Sequence, residues 1–139
     1  MASEPLFLPA SAGNGDESGL DPLYLACRDH SGKQRGRALL EELWADFAPY
    51  CGDRHFLVEA RRHFVSRSWE VYIGGVLLRA GFALRRPAPD EPDVIVERPG
   101  SPPIWLECTA PGPGTGDDAV RDREQRGEWN ATSCPGLRW

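Results

Sequence analysis

Ile104-Trp105-Leu106-Glu107-Cys108-Thr109 carries the most readable pattern in the chain. Ile104, Leu106 and Cys108 fall on one side of an extended backbone, and Trp105, Glu107 and Thr109 on the other, so the segment reads as a strand. Working outward, Val94-Ile95-Val96 is a short β-branched run, and Phe82 to Arg86 is a third strand of less regular alternation. Pro87–Pro92 and Arg98–Pro103 supply turns between them. Both connections are short, so the strands are expected to form an antiparallel meander. Immediately upstream, Ser66 to Ala80 predicts the strongest helix of the chain. Ser66 or Ser68 would cap it, Trp69, Tyr72, Ile73, Val76, Leu77 and Ala80 would form its apolar face, and Gly81 would end it. The expected fold class is therefore α+β, a helix followed by a three-stranded antiparallel meander packed on it.

Further upstream, Leu39, Leu40, Leu43, Trp44 and Phe47 make one stripe at helical spacing, which predicts a helix over Gly36 to Phe47 with Glu41, Glu42 and Asp46 outward. Phe56 to His63 reads as a helix or an extended connector, and Asp21 to Arg28 as one or two helical turns. Gly74 and Gly75 lower helix propensity by about 1 kcal/mol each relative to alanine. That cost points either to another backbone packed closely there or to simple tolerance. The expected organisation is a disordered segment over residues 1–20, one α+β domain over 21–110, and a polar, Pro/Gly-rich tail over 111–139.

The 139 residues suffice for one domain, and 40% hydrophobic with 27% charged residues fits a soluble globular chain. No apolar run approaches the ~20 residues of a membrane span, and the first ten residues lack a basic n-region, so no membrane partner and a cytoplasmic location are expected. The net charge of −5 argues against a binder of nucleic acid over its whole surface. Its distribution is uneven, however: Arg54 to Pro89 holds seven arginines against Glu59 and Glu70. Those arginines would either coat a solvated helix face or form a local basic surface. Lys33 is the only lysine, and the four cysteines contain no C-x-x-C pair.

Three acids stand at informative places: Glu70 near the start of the long helix, Asp93 at the head of the second strand, and Glu107 within the third. A carboxylate inside an apolar strand is costly to bury alone, and two aimed at one sheet edge repel each other. A hard divalent cation removes both problems and leaves positions free for water and a phosphate oxygen. The plain alternative treats Glu70 as a surface acid in a first helical turn, Asp93 as a turn residue and Glu107 as a solvent-facing strand acid.

Ser68-Trp69-Glu70, the helix ending at Ala80-Gly81-Phe82, Pro92-Asp93 and Ile104-Trp105-Leu106-Glu107-Cys108-Thr109 together resemble the core of the PD-(D/E)XK nuclease superfamily, over about Val65 to Thr109. The resemblance implies a restriction-endonuclease-like fold whose C-terminal helix and strand are missing here, so the core is incomplete. It implies a metal site of Glu70, Asp93 and Glu107 holding Mg²⁺ or Mn²⁺, and a catalytic set of Asp93, Glu107 and Thr109. Thr109 stands where the family usually has a lysine that orients or polarises the attacking water. The implied activity is metal-dependent phosphodiester hydrolysis on DNA or RNA, weakened or lost. Arg61, Arg62 and Arg67 would contact phosphates. The alternative is a non-catalytic remnant of the fold acting as an interaction or regulatory protein. In either case the open edge of the third strand calls for cover from the tail, a partner chain or a second copy.

Other signals are weaker. Cys27-x-x-His30 and Cys51-x-x-x-His55 have zinc-like spacing, but the segment between them reads as an ordinary amphipathic helix. Cys108 reads as a small buried hydrophobe rather than a nucleophile, and Trp44, Trp69 and Trp105 as core or half-buried anchors.

Overall fold

The structure is a computed structural model and describes residues 4–9 and 17–110. The residues expected to form the polar tail, 111–139, lie outside the described residues. Among the described residues four α-helices precede a three-stranded sheet: α1 (Pro22–Asp29), α2 (Gln34–Phe47), α3 (Phe56–Arg62), α4 (Phe64–Arg79), β1 (Ala83–Arg85), β2 (Val94–Glu97) and β3 (Ile104–Leu106). The sheet order is β1-β2-β3 and both pairings are antiparallel, with Leu84 opposite Val96 and Ile95 opposite Trp105. The chain is thus α+β with an antiparallel meander following a long helix.

Each helix has a local cause. Pro22 pre-sets the first turn of α1, and Asp21 caps it by accepting from Leu23 N–H at 2.7 Å. The other carboxylate oxygen of Asp21 accepts from Phe64 N–H at 2.9 Å, so one side chain caps α1 and the start of α4 together. The expected serine caps of α4 do not form. Ser66 and Ser68 instead donate back to the carbonyls of His63 and Val65, the usual competing use of a serine inside a helix. Gly81, at φ +86°, ends α4, and its N–H donates to Leu78 O.

α4 is turned relative to the sequence expectation. Trp69, Tyr72 and Val76 are exposed, whereas Phe64, Glu70, Val71, Gly74 and Gly75 are buried. The reason is the glycine pair. A Cβ on Gly74 would overlap the Phe47 ring, and one on Gly75 would lie 2.7 Å from Leu43 Cβ and 3.0 Å from its Cα. α2 therefore seats Leu43 and Phe47 directly on the α4 backbone, and Trp69, Tyr72 and Val76 are left on the outer side. Of the tryptophans, Trp44 is a core residue and Trp69 is half-buried, as expected, whereas Trp105 is 60% exposed.

The N-terminal segment is a second correction. Leu6 and Phe7 are buried in the core rather than loosely attached. Their backbone N–H groups donate to the two carboxylate oxygens of Glu41 at 3.0 and 2.7 Å, and Leu8 N–H donates to Tyr24 Oη. Trp44 Nε1 donates to Glu4 O at 2.8 Å. Phe7, Tyr24 and Phe64 form an aromatic cluster with centroids 5.3 to 5.7 Å apart. Glu41, expected to face outward, is thus an acceptor for the incoming strand-like segment. The apolar–apolar pair Leu6-Phe7 was too short to show a periodicity that would have placed it.

Replacing Gly75 by alanine should lower stability by roughly 1–3 kcal/mol through overpacking, despite alanine's better helix propensity. Urea denaturation of Gly75→Ala against Gly36→Ala, where a Cβ meets nothing within 4 Å, reads the difference; Gly36→Ala should be neutral or stabilising.

Candidate functional site

Two of the three acids face one cleft. Glu70 sits on the buried side of α4, four residues before Gly74 and so on the same stripe. Asp93 directly precedes β2. Both line a cavity of about 590 Å³ together with Asp53, Arg54, Arg67, Arg86 and the proline-rich turn from Pro87 to Pro92. Arg67, one turn before Glu70, donates to Glu70 Oε2 at 2.9 Å, and its other terminal nitrogen lies 3.3 Å from Asp53 Oδ2. The Arg67 guanidinium also stands over the Phe56 ring, 5.5 Å from its centroid.

Asp93 is held from the neighbouring strand. Its Oδ2 accepts from Cys108 N–H at 2.8 Å. The β2–β3 pairing closes with Val94 opposite Leu106, one residue short of Asp93 and Glu107. Glu107 and Thr109 are exposed, and they line a different groove of about 450 Å³ with Trp69, Ile73, Leu106 and Cys108. The ladder ends at Leu106, so Glu107 lies past the last paired residue. The three acids all surround Cys108: the charges of Asp93, Glu70 and Glu107 add to burial in pushing its thiol up to about 12. Among the described residues, however, no group of three or more His, Cys, Asp and Glu side chains is arranged to hold a metal ion. The donor set for Mg²⁺ or Mn²⁺ is therefore incomplete, two carboxylates in the cleft and the third outside it.

The cleft carboxylates differ in state. Glu70 is only 3% exposed. Burial raises its pKa to about 7; the hydrogen bond from Arg67 opposes this, and the negative charges of Asp93 and Asp53 reinforce it. Near neutral pH Glu70 thus carries a proton about half the time. Cys51, beside Asp53, is likewise pushed up to about 12, mainly by burial, and is no nucleophile. Cys51 packs in the core and His30 Nδ1 accepts from Gly32 N–H as a helix cap, so the zinc-like pairs of the sequence have other tasks.

The three arginines expected to contact phosphate separate. Arg67 is in the cleft and committed to two acids, Arg61 pairs with Glu4 at 3.1 Å, and Arg62 is exposed on α3. Asp53 carries no motif in the sequence, and Arg54 and Arg86 stand there only among the seven arginines of a possible basic surface; all three line the cleft from two loops. The available signal was Gly52-Asp53, a turn in which the Asp53 side chain accepts from His55 N–H at 2.7 Å. Comparison of the chain with family models, with curated proteins and with solved structures gives no match.

The Glu70 shift has a signed consequence. Its folded-state pKa lies above the ordinary carboxylate value, so the folded protein is favoured by protonation. That contribution is fully present below about pH 4.5 and is lost as pH rises through about 7. Between pH 5 and pH 8 the parent protein should therefore lose on the order of 2–3 kcal/mol relative to Glu70→Gln. Denaturant midpoints of both proteins across that range, measured in chelator, check it; parallel curves would contradict a raised Glu70.

Proposed function

We propose that this chain is a weakened relative of divalent-metal-dependent phosphodiester hydrolases, with a restriction-endonuclease-like core. The observation that supports the reading best is the meeting of Glu70, from the helix, and Asp93, from the head of the second strand, in one cleft rimmed by arginines. Acids on those two elements, in that order, are what the resemblance to PD-(D/E)XK nucleases implies. In this reading Arg54 and Arg86 draw a nucleic-acid strand, DNA or RNA, to the cleft, and Asp93 would hold the divalent ion or accept a hydrogen bond from the attacking water. Glu107 and Thr109 stand apart from Glu70 and Asp93 in the groove they line, so the third acid and the water-orienting position contribute little and turnover is slow.

The second reading, a non-catalytic remnant that binds partners, is favoured by the same displacement of Glu107 and by the exposed apolar side chains of Trp69, Tyr72, Val76, Ile104 and Trp105.

Two measurements separate the readings. Nicking of supercoiled DNA, or cleavage of single-stranded RNA, in Mn²⁺ should be slow in the parent and at least tenfold slower in Asp93→Asn. Calorimetric titration with Mn²⁺ should give weak binding that Asp93→Asn removes. Equal nicking by parent and variant, or no Mn²⁺ binding, rejects the hydrolase and leaves the binding protein.

A further inference from the structure

A second, smaller cavity of about 270 Å³ adjoins the carboxylate cleft and shares Asp53, Arg54 and Arg86 with it. Arg61 also lines this cavity. Its charges do not cancel. Asp53 lies 3.3 Å from Arg67 and Glu4 lies 3.1 Å from Arg61, so the two acids of the wall already have cations opposite them. Arg54 and Arg86 form no ion pair with any described residue. In addition, Nε of Arg61 is buried without an acceptor. A buried donor left unmatched is unfavourable, but with under 1 Å² of accessible surface it is closed to the cavity, so the site rests on Arg54 and Arg86.

The chain builds this juxtaposition at one contact. A Cβ on Gly52 would lie 2.9 Å from the Pro87 carbonyl oxygen and 3.3 Å from Pro87 Cβ. Only glycine lets the loop entering α3 lie against the loop leaving β1. Arg54, two residues after Gly52, and Arg86, one before Pro87, are brought to a common rim by that approach. Arg61 joins them from α3, its far end tied to Glu4. Three arginines lining a small cavity, the exposed Arg54 and Arg86 without an ion pair, match a tetrahedral anion with several acceptor oxygens better than a carboxylate with two.

We propose that Arg54, Arg61 and Arg86 form a phosphate-binding subsite that holds a phosphate of the nucleic-acid strand lying in the adjoining cleft. The strand assignment rests on the proposed function; the anion site stands on its own residues. Because the subsite is made of arginines, it works without a divalent ion. Arg54 and Arg86 are positioning residues, and Asp93 is not needed for this binding.

The test is anisotropy of a fluorescent single-stranded oligonucleotide in chelator at low salt, with the full chain. The parent should bind, and Arg54→Gln/Arg86→Gln should bind at least tenfold more weakly, with its salt slope reduced by roughly 0.7 for the one phosphate no longer neutralised. Arg62→Gln, on the exposed side of α3, should bind like the parent, and Asp93→Asn at least as well. Inorganic phosphate should compete at millimolar concentration with the parent and fail to compete with what the double variant retains. Unchanged binding by the folded double variant, or an equal loss in Arg62→Gln, overturns the subsite. Phosphate binding without oligonucleotide binding overturns the strand assignment. A chain that binds the oligonucleotide in chelator but never nicks DNA sinks the hydrolase and supports the subsite.

Discussion

The seating of Leu43 and Phe47 on the bare backbone at Gly75 and Gly74 governs the remainder of the molecule. It fixes how α4 is rotated, and rotation decides which of its side chains are covered. Arg67, Glu70, Val71, Gly74, Gly75 and Leu78 follow one another along a single helical stripe. The same constraint that excludes a methyl group at position 75 therefore carries a carboxylate inward at position 70. Glu70 tolerates this because Arg67 reaches it along the helix and because it can take up a proton. The sheet then packs Leu84, Val94 and Val96 into the core cluster, and Asp93 arrives at the cleft as the residue before the first buried valine.

Electrostatics in the cleft divides labour between the acids. Glu70 is buried, bound by Arg67 and half protonated near neutrality, whereas Asp93 is only partly covered and is held by a backbone N–H from Cys108. The surrounding arginines limit how much negative charge the cleft presents, and Arg67 in particular holds Asp53 and Glu70 apart from any incoming group. The outer face of α4, by contrast, is apolar and faces the groove beside β3, with Trp69 at one of its walls.

Much of the architecture was legible because it follows from periodicity and short connections. The helix of Leu43 and Phe47, the long helix and the meander order all emerge from spacing and from turns rich in Pro and Gly. The face of α4 did not, because hydrophobicity ranks Trp69, Tyr72 and Val76 above glycine, while close approach of helices rewards the absence of a side chain. Glu70 and Asp93 were identified from their places on helix and strand. The displacement of Glu107 depends on where pairing of β3 stops, a matter of one or two residues that no local pattern encodes. Asp53, Arg54 and Arg86 come from loops whose meeting depends on a single tertiary contact at Gly52. Leu6 and Phe7 gave too little signal to stand out from their Ser- and Gly-rich surroundings, although they fill the core.

The mooring of that short segment by Glu41 makes it an intramolecular ligand of the helical body. Its two apolar side chains occupy sockets among Tyr24, Trp44 and Phe64, and its main chain is read by a bidentate carboxylate, much as an enzyme reads a peptide. Because the segment belongs to the same chain, its seating is intramolecular, and modest intrinsic affinity is enough to keep it in place. Clipping the tether would convert the same contacts into a bimolecular association, and the helices would be left with two vacant hydrophobic sockets and an orphaned carboxylate.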